Sequence, residues 1–146
     1  MEDFKIFNSE FKPSKTYKSK IIDFLFTHLD KFGDPKADIS KAIDYALKEV
    51  ESFGGFVLCL EHNDTLVGAV VVNKTGMKDY IPENILVYIA VHNDERGKGL
   101  GKKLLEEALS MSKGNVALHV EADNRAKNLY EKVGFTNKYL EMRYIK

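Results

Sequence analysis

Hydrophobic side chains recur at two different spacings along the chain. In the first third they fall three or four positions apart, which is the spacing of one face of a helix. Two helices are therefore predicted, the first between a cap at Ser14 or Thr16 and Gly33, the second from Asp38 to Gly54. The apolar positions that define them are Ile21, Ile22, Leu25 and Leu29 in the first, and Ile39, Ala42, Ile43, Ala46, Leu47, Val50 and Phe53 in the second.

Downstream of Gly54 the pattern changes to short β-branched, aliphatic and aromatic runs, which predict strands. Residues 56–61 and 65–73 flank the turn-forming cluster His62-Asn63-Asp64 and predict a hairpin. The most continuous apolar run, 85–91, predicts a buried strand. The other predicted elements are a short strand at 4–7, a helix from Leu100 to Gly114, a strand at 116–121, a helix at 125–133 and an extended segment at 135–145.

The order β-α-α-β-β-β-α-β-α-β indicates an α/β fold with a mixed sheet. The 146 residues are 44% hydrophobic and 30% charged, and neither a linker nor a repeat divides them, so we expect a single domain at 1–146. Basic and acidic residues number 22 each, and this balance favours neither a nucleic acid nor an anionic membrane as partner. Because no apolar stretch reaches about 18 residues and the first residues do not resemble a signal peptide, we expect a cytoplasmic protein.

The residue types that commonly bind metals are dispersed in this sequence. His28, His62 and His92 lie far apart and follow no ligand spacing, so no metal is predicted. The one cysteine, Cys59, lies in an apolar run, and we expect it in the core.

A polar stretch with alternating glycines joins the most apolar strand to the helix that begins near Leu100. Gly97, Gly99 and Gly101 leave main-chain N–H groups bare of side chains. Since the first turn of a helix has unpaired N–H donors and the positive end of the helix dipole, this stretch predicts a phosphate or pyrophosphate site. We call residues 96–102 the glycine loop; its basic side chains are Arg96, Lys98 and Lys102.

The spacing of the glycines narrows the kind of phosphate ligand. A Walker A loop requires four residues between its first glycine and Gly-Lys-Ser/Thr, but three separate Gly97 from Gly101, and Lys103 stands where the hydroxyl residue belongs. A dinucleotide fingerprint requires G-x-G-x-x-G, whereas this loop reads G-x-G-x-G. Glu121, about 20 residues further on, keeps the dinucleotide alternative open.

The run Arg96-Gly97-Lys98-Gly99-Leu100-Gly101 resembles the cofactor loop of the GNAT superfamily of N-acetyltransferases, Arg/Gln-x-x-Gly-x-Gly/Ala. Residues 65–68 resemble the third strand of that family, 85–91 its fourth strand, and 128–135 its closing signature. The resemblance implies a mixed, mostly antiparallel central sheet, flanked by helices and splayed between the fourth and fifth strands. It also implies transfer of acetyl from acetyl-CoA to a primary amine by direct attack in a ternary complex.

The resemblance further assigns cofactor contacts. The CoA pyrophosphate would rest on the glycine loop, including Leu100, and pantetheine would bond main-chain groups of Ile89, Ala90 and Val91. The N–H of Ile89 would stabilise the thioester oxyanion. In the family signature an asparagine precedes the helix; Asn124 and Asp123 compete for this position, and Asn124 is preferred because only an amide can donate to pantetheine. A helix-capping role for either residue is an equal alternative.

Tyr130 matches the family tyrosine that protonates the departing CoA thiolate. The general base is less defined, because Ile85 replaces the fourth-strand glutamate of some family members. Alignment with bacterial ribosomal-protein acetyltransferases through the fifth strand puts His119 at the position of their glutamate, and a histidine with a pKa of about 6.5 is a chemically sensible base. Tyr88, Glu83 and a water molecule are the alternatives.

The expected partner is an amine acceptor: a small molecule, an amino acid or a peptide end. Residues 16–53 and 75–84 would form the walls of its cleft, and their acidic side chains favour a cation. Two other functions remain open at this point, a non-catalytic CoA-sensing module and a nucleotide-binding oxidoreductase. The sequence also leaves open whether the chain forms a homodimer.

Overall fold

The computed structural model describes residues 2–146, in which five strands form one sheet in sequential order. The first four strands are antiparallel neighbours, and the fifth lies parallel to the fourth. The predicted mixed, mostly antiparallel sheet is thereby confirmed. Its strands are β1 (Glu2–Phe7), β2 (Gly55–His62), β3 (Thr65–Lys74), β4 (Asn84–Val91) and β5 (Val116–Ala117).

Four α-helices cover the two faces of this sheet. They are α1 (Lys15–Leu29), α2 (Lys36–Leu47), α3 (Leu100–Met111) and α4 (Ala126–Val133), with short 3₁₀ turns at Asp30–Phe32 and Asn93–Glu95. The first core lies between the sheet and α1–α2, and the second lies between the sheet and α3–α4. In β2, Val57 and Cys59 face the first core while Leu58 and Leu60 face the second, which explains why this strand is apolar without alternation.

Two local predictions are confirmed at the ends of elements. Ser14, not Thr16, caps α1, since its Oγ accepts the N–H of Tyr17 at 3.1 Å. The β2–β3 turn has positive φ at both Asn63 (50°) and Asp64 (63°), the backbone of a two-residue hairpin turn with the hand that suits twisted strands.

The predicted burial of Cys59 in the core is also confirmed. Cys59 is fully buried, and burial raises the pKa of its thiol to about 12.

The predicted limits of α2 are wrong at both ends. The helix begins after Pro35 rather than at Asp38, which lies in its first turn. It ends at Leu47, because Lys48 takes a left-handed conformation (φ 57°) and its N–H bonds the carbonyl of Tyr45. Val50 and Phe53, which were assigned to the apolar helix face, are 50% and 61% exposed.

Two predicted strands in the last third also differ from the structure. β5 contains two residues rather than 116–121, although Leu118 and Val120 still pack on the second core. Residues 135–146 form no strand in the part of the chain that the structure describes, and Leu140 and Met142 are 84% and 91% exposed. Because β5 leaves the sheet after two residues, it offers no continuous edge on which a further strand could pair.

A β-bulge in β4 changes which core its side chains face. Val71 of β3 pairs with Tyr88 and Val72 pairs with Leu86, so Val87 is the extra residue. Leu86 consequently faces the second core, Tyr88 the first, and Ile89 the second again.

The junction between β4 and β5 is short and clamped by a buried amide. The two strands pair only at Asn84–Val116 and Ile85–Ala117. The Asn84 Nδ2 donates to the carbonyl of Lys113 at 2.8 Å and to that of Asn115 at 3.2 Å. Beyond Ile85 the outer edge of β4 has no strand beside it within residues 2–146, so the predicted splay between the strands lies here.

Among residues 2–146, no helix combines the length and the apolar character that crossing a bilayer requires.

We expect Asn84→Ala to lower the free energy of unfolding by about 2 kcal/mol, because two carbonyls would lose the donor that joins β4 to β5. Urea unfolding measures this change, with Asn137→Ala in the exposed C-terminal segment as the matched control. A loss below about 0.5 kcal/mol, the range of ordinary surface substitutions, would contradict the clamp.

Candidate active site

The glycine loop joins the end of β4 to α3 in a conformation that only glycine adopts readily. Gly97 and Gly99 both have φ 80°, and Gly99 is the N-cap of α3. A Cβ at either position would meet no atom within 4 Å. Glycine is therefore required here by the backbone angle, and the space beside the loop is free of protein.

Several consecutive amides of this loop have no acceptor. The first hydrogen bond of α3 runs from the Lys103 N–H to the Gly99 carbonyl at 3.2 Å. None of the hydrogen bonds among residues 2–146 uses the amides between Gly97 and Lys102. The loop thus presents a row of unpaired donors at the positive end of a helix, which is a favourable arrangement for an anion.

The three basic side chains of the loop do not have equivalent surroundings. The Arg96 Nη2 donates to the main-chain carbonyl of His28 at 2.8 Å, and the Lys98 Nζ lies 2.9 Å from the Glu95 carboxylate. Lys102 is exposed and takes part in no ion pair in the described chain. Lys102 therefore has the ammonium group most available to an anion, while Arg96 anchors the loop to α1.

The three β4 residues assigned to pantetheine end the strand, and residues 92–95 join them to the loop. On one side they pair with β3, Ile89 with Val70 and Val91 with Gly68, and their other edge is the one that β5 has left. A Cβ on Gly101 would lie 3.1 Å from Leu129 Cδ2 and 3.8 Å from Val91 Cγ2. The end of β4, the start of α3 and helix α4 consequently meet around the glycine loop.

Tyr130 lies in the second core beside this meeting point. Its side chain is 7% exposed, and its ring centroid is 5.9 Å from that of Phe135. Burial raises the pKa of Tyr130 to about 12, so the hydroxyl keeps its proton at neutral and mildly alkaline pH. This hydroxyl bonds no other group among residues 2–146, and it is free to donate to a bound molecule.

Asn124 lies directly before Arg125, the N-cap residue of α4, so the predicted helix-capping role falls to neither Asn124 nor Asp123. The Asn124 Oδ1 instead accepts the N–H of Ala126 at 2.9 Å, two positions further on. Its Nδ2 is not used in that bond, so the same side chain retains two donor hydrogens. Asp123, its competitor in the signature, is exposed.

The side chains of residues 118–121 alternate between the second core and solvent, and His119 lies on the solvent side, away from Tyr130. Leu118 and Val120 pack on the second core with Tyr130, whereas His119 and Glu121 are exposed. The other two candidate bases are already engaged. Glu83 accepts the N–H of Asn115 at 2.8 Å, and this bond lowers the pKa of its carboxyl group.

Tyr88 forms a pair that the sequence pattern does not predict. Its hydroxyl donates to Asp34 Oδ2 at 2.6 Å, joining β4 to the segment before α2. Burial and this carboxylate raise the pKa of Tyr88, so the phenol itself stays protonated and Asp34 is the basic member of the pair. Because the two residues are 54 positions apart, only the fold reveals their contact.

His28 and His92 are a second pair that sequence spacing did not indicate. Their ring centroids are 4.2 Å apart, and the Asn93 N–H donates to His28 Nδ1 at 3.2 Å. Both contacts join α1 to the residues directly before the glycine loop. No group of three or more His, Cys, Asp or Glu side chains able to hold a metal ion occurs among the described residues.

Comparison with known proteins gives two enzymes of related sequence. A 5-NmdU N-acetyltransferase of Pseudomonas phage PaMx11 is 31% identical over 84 residues, which is 56% of this chain and 58% of that protein. The match thus spans less than two thirds of the phage enzyme. A glucosamine 6-phosphate N-acetyltransferase of Arabidopsis thaliana is 28% identical over 109 residues, 68% of this chain and 72% of that protein.

Among solved structures, the aminoglycoside N-acetyltransferase AAC(6')-Iy in complex with CoA has a TM-score of 0.69. The superposition covers 100% of this chain and 95% of that chain at 16% identity, so it shows a shared fold. The family model described as "Acetyltransferase (GNAT) domain" matches residues 54–137, from the start of β2 to just past α4. The chain therefore belongs to the GNAT family of acetyltransferases.

Proposed function

We propose that this protein transfers an acetyl group from acetyl-CoA to a primary amine by direct attack in a ternary complex. One observation carries the proposal: the unpaired edge of β4 and the unpaired amides of the glycine loop are joined by only four residues, 92–95, and the free hydroxyl of Tyr130 lies in the adjoining core. Residues 1–146 would act as one domain, and we retain the expectation that it is cytoplasmic.

Acetyl-CoA would bind both groups of unpaired main-chain donors, those of the glycine loop and those of the β4 edge. The diphosphate would accept hydrogen bonds from the amides between Gly97 and Lys102, with the Lys102 ammonium adding charge. Pantetheine would then extend along the edge of β4 and bond main-chain groups of Ile89, Ala90 and Val91 as an additional strand does. The Asn124 amide is available as a further donor.

The reaction proposed is a nucleophilic acyl substitution. The neutral amine attacks the thioester carbon, and the Ile89 N–H stabilises the negative charge that develops on the carbonyl oxygen. The C–N bond forms and the C–S bond breaks, so the sulfur leaves as a thiolate. The amine releases one proton to a base, and the thiolate takes up one proton, which leaves the proton balance at zero.

Tyr130 would stabilise the leaving sulfur. Its pKa of about 12 lies well above neutral pH, so the hydroxyl reaches the transition state protonated. It can donate to sulfur as the C–S bond breaks, and a proton that it transfers is replaced by the one that the base took from the amine.

The acceptor we propose first is a small-molecule amine. The Arabidopsis relative is a glucosamine 6-phosphate N-acetyltransferase and the structural neighbour is an aminoglycoside N-acetyltransferase. On the side of the sheet that faces the first core, Asp34 accepts a hydrogen bond from Tyr88 of β4. The Asp34 carboxylate would attract a protonated amine and accept its proton through the Tyr88 phenol or a water molecule. His119 is the alternative base, and amino acids and peptide ends are the alternative acceptors.

A non-catalytic CoA-binding module is the second candidate function. The exposed position of His119, together with Ile85 at the place of the family glutamate, favours it. Thiol release from acetyl-CoA with a panel of amines separates the two functions, since only an acetyltransferase releases CoA at a rate that depends on the amine.

Gly99→Ala should weaken CoA binding at least tenfold, because a Cβ would enter the space beside the unpaired amides. Titration calorimetry with CoA measures this affinity. Gly54→Ala is the matched control, since Gly54 has a similar φ of 76° but lies between α2 and β2. Both variants should lose about 1–2 kcal/mol of stability from the left-handed backbone. Equal CoA affinity of the two variants would refute the site.

Tyr130→Phe should lower turnover about 10- to 100-fold at unchanged CoA affinity, because the ring is kept and only the donor is lost. Turnover is measured by CoA release with an amine that the wild type accepts, and affinity by calorimetry. Tyr144→Phe, in the exposed C-terminal segment, serves as the control. Full turnover of Tyr130→Phe would remove Tyr130 from the mechanism.

A further inference from the structure

One residue of α1, His28, accepts hydrogen bonds from the residues at the entrance to the glycine loop. His28 is 9% exposed, and its Nδ1 accepts the N–H of Asn93 at 3.2 Å. The main-chain carbonyl of the same residue accepts the Arg96 Nη2 at 2.8 Å. His28 is therefore hydrogen-bonded to Asn93, the first residue of the 3₁₀ turn Asn93–Glu95, and to Arg96, which follows the turn and precedes Gly97.

Two aromatic rings enclose the imidazole of His28. His92 lies against it with ring centroids 4.2 Å apart, and Phe24 lies on it at 4.5 Å. The His92 Nδ1 accepts the N–H of Asp94 at 3.1 Å. Since His28 accepts a hydrogen bond at Nδ1, it must carry its single proton on Nε2 and be neutral in this arrangement.

We propose that His28 is a positioning residue for CoA: its neutral imidazole holds the glycine loop in the binding conformation, and protonation in mildly acidic solution releases the loop and weakens CoA binding. This inference rests on the proposed function, because it assumes that the glycine loop binds CoA. His28 itself would touch neither the cofactor nor the reacting atoms.

The chemistry of the hydrogen bond makes the contact sensitive to protonation. A proton on Nδ1 would meet the N–H of Asn93, so two donors would face each other and the contact would break. The loop would then lose its attachment to α1 on the Asn93 side, and the ligand would have to restore the conformation at a cost in affinity.

The surroundings of His28 lower its pKa on balance. The groups that face it are His92, Asn93, Arg96 and Asp94, all from the residues after β4. Burial is the largest cause; the charge of Arg96, and that of His92 when it is protonated, lower the pKa further, while a hydrogen bond with Asn93 and the charge of Asp94 raise it. A lowered pKa means that the contact is intact above the ordinary histidine value of about 6.5 and is lost as the pH falls below it through the pKa of the folded protein.

Two substitutions of His28 distinguish the loss of the hydrogen-bond acceptor from the effect of protonating the imidazole. In His28→Asn, the amide oxygen can take the place of Nδ1, and it does not change its charge with pH. In His28→Leu, a side chain of comparable bulk offers no acceptor to Asn93. His62→Asn controls for loss of a histidine, because His62 is exposed at the β2–β3 turn.

The experiment is calorimetric titration of CoA at about pH 7.5 and about pH 5.5, on either side of the ordinary histidine pKa. At the higher pH, we expect His28→Asn to bind as the wild type does and His28→Leu to bind about tenfold more weakly. At the lower pH, the wild type and His62→Asn should weaken relative to His28→Asn by a measurable factor that stays below about tenfold, the value for an unshifted histidine pKa. Changes in the charge of CoA itself affect all four proteins equally, and the ratio removes them.

A second measurement needs no ligand. The exchange protection of the Asn93 amide, followed by NMR, should fall between the two pH values in the wild type and persist in His28→Asn. The proposal is overturned if the wild type and His28→Asn share one pH dependence in both measurements. If instead no CoA binds to the wild type at about pH 7.5, the proposed function fails, and the Asn93 protection still shows whether His28 holds the loop.

Discussion

The site depends on the fact that β4 is fully paired along one edge and almost unpaired along the other. Main-chain N–H and C=O groups of a strand inside a protein are nearly always hydrogen-bonded, so an unpaired edge is costly unless water or a ligand meets it. Here β5 pairs with two residues of β4 and then leaves, at the point where Asn84 joins the two strands. The unpaired amides of the glycine loop form a second group of donors, which begins after the hydrogen-bonded residues 92–95.

The bulge at Val87 determines which side chains of β4 face each of the two cores. By inserting one residue, it turns Tyr88 toward α1 and α2, where Asp34 accepts its hydroxyl hydrogen. Ile89 and Val91 then face the second core, where Tyr130 lies. One strand thereby supplies a carboxylate-bearing face suited to an amine and an opposite face next to the cofactor loop.

The glycine loop is held more firmly than its composition suggests. Three glycines and several charged residues are typical of a flexible, solvated connection. Instead, Arg96 and Asn93 attach the loop to His28 of α1, and Lys98 pairs with Glu95. The flexibility of glycine is used at Gly97 and Gly99 for the left-handed backbone that directs the amides outward. Such preorganisation lowers the entropy that a ligand must remove on binding.

The sequence by itself determined the features that depend on local chemistry: the order of the elements as far as α4, a cap at Ser14 or Thr16, the burial of Cys59, the position of the glycine loop and its resemblance to the GNAT loop. Each depends on residues a few positions apart, so the pattern contains the information. Only the tertiary structure decided that Arg96 anchors rather than remains free, that Tyr88 meets Asp34, that His28 holds Asn93, and that His119 lies away from Tyr130. It also decided the early ends of α2 and β5 and the exposure of residues 136–146, because strand pairing and helix packing depend on neighbours that are distant in the chain.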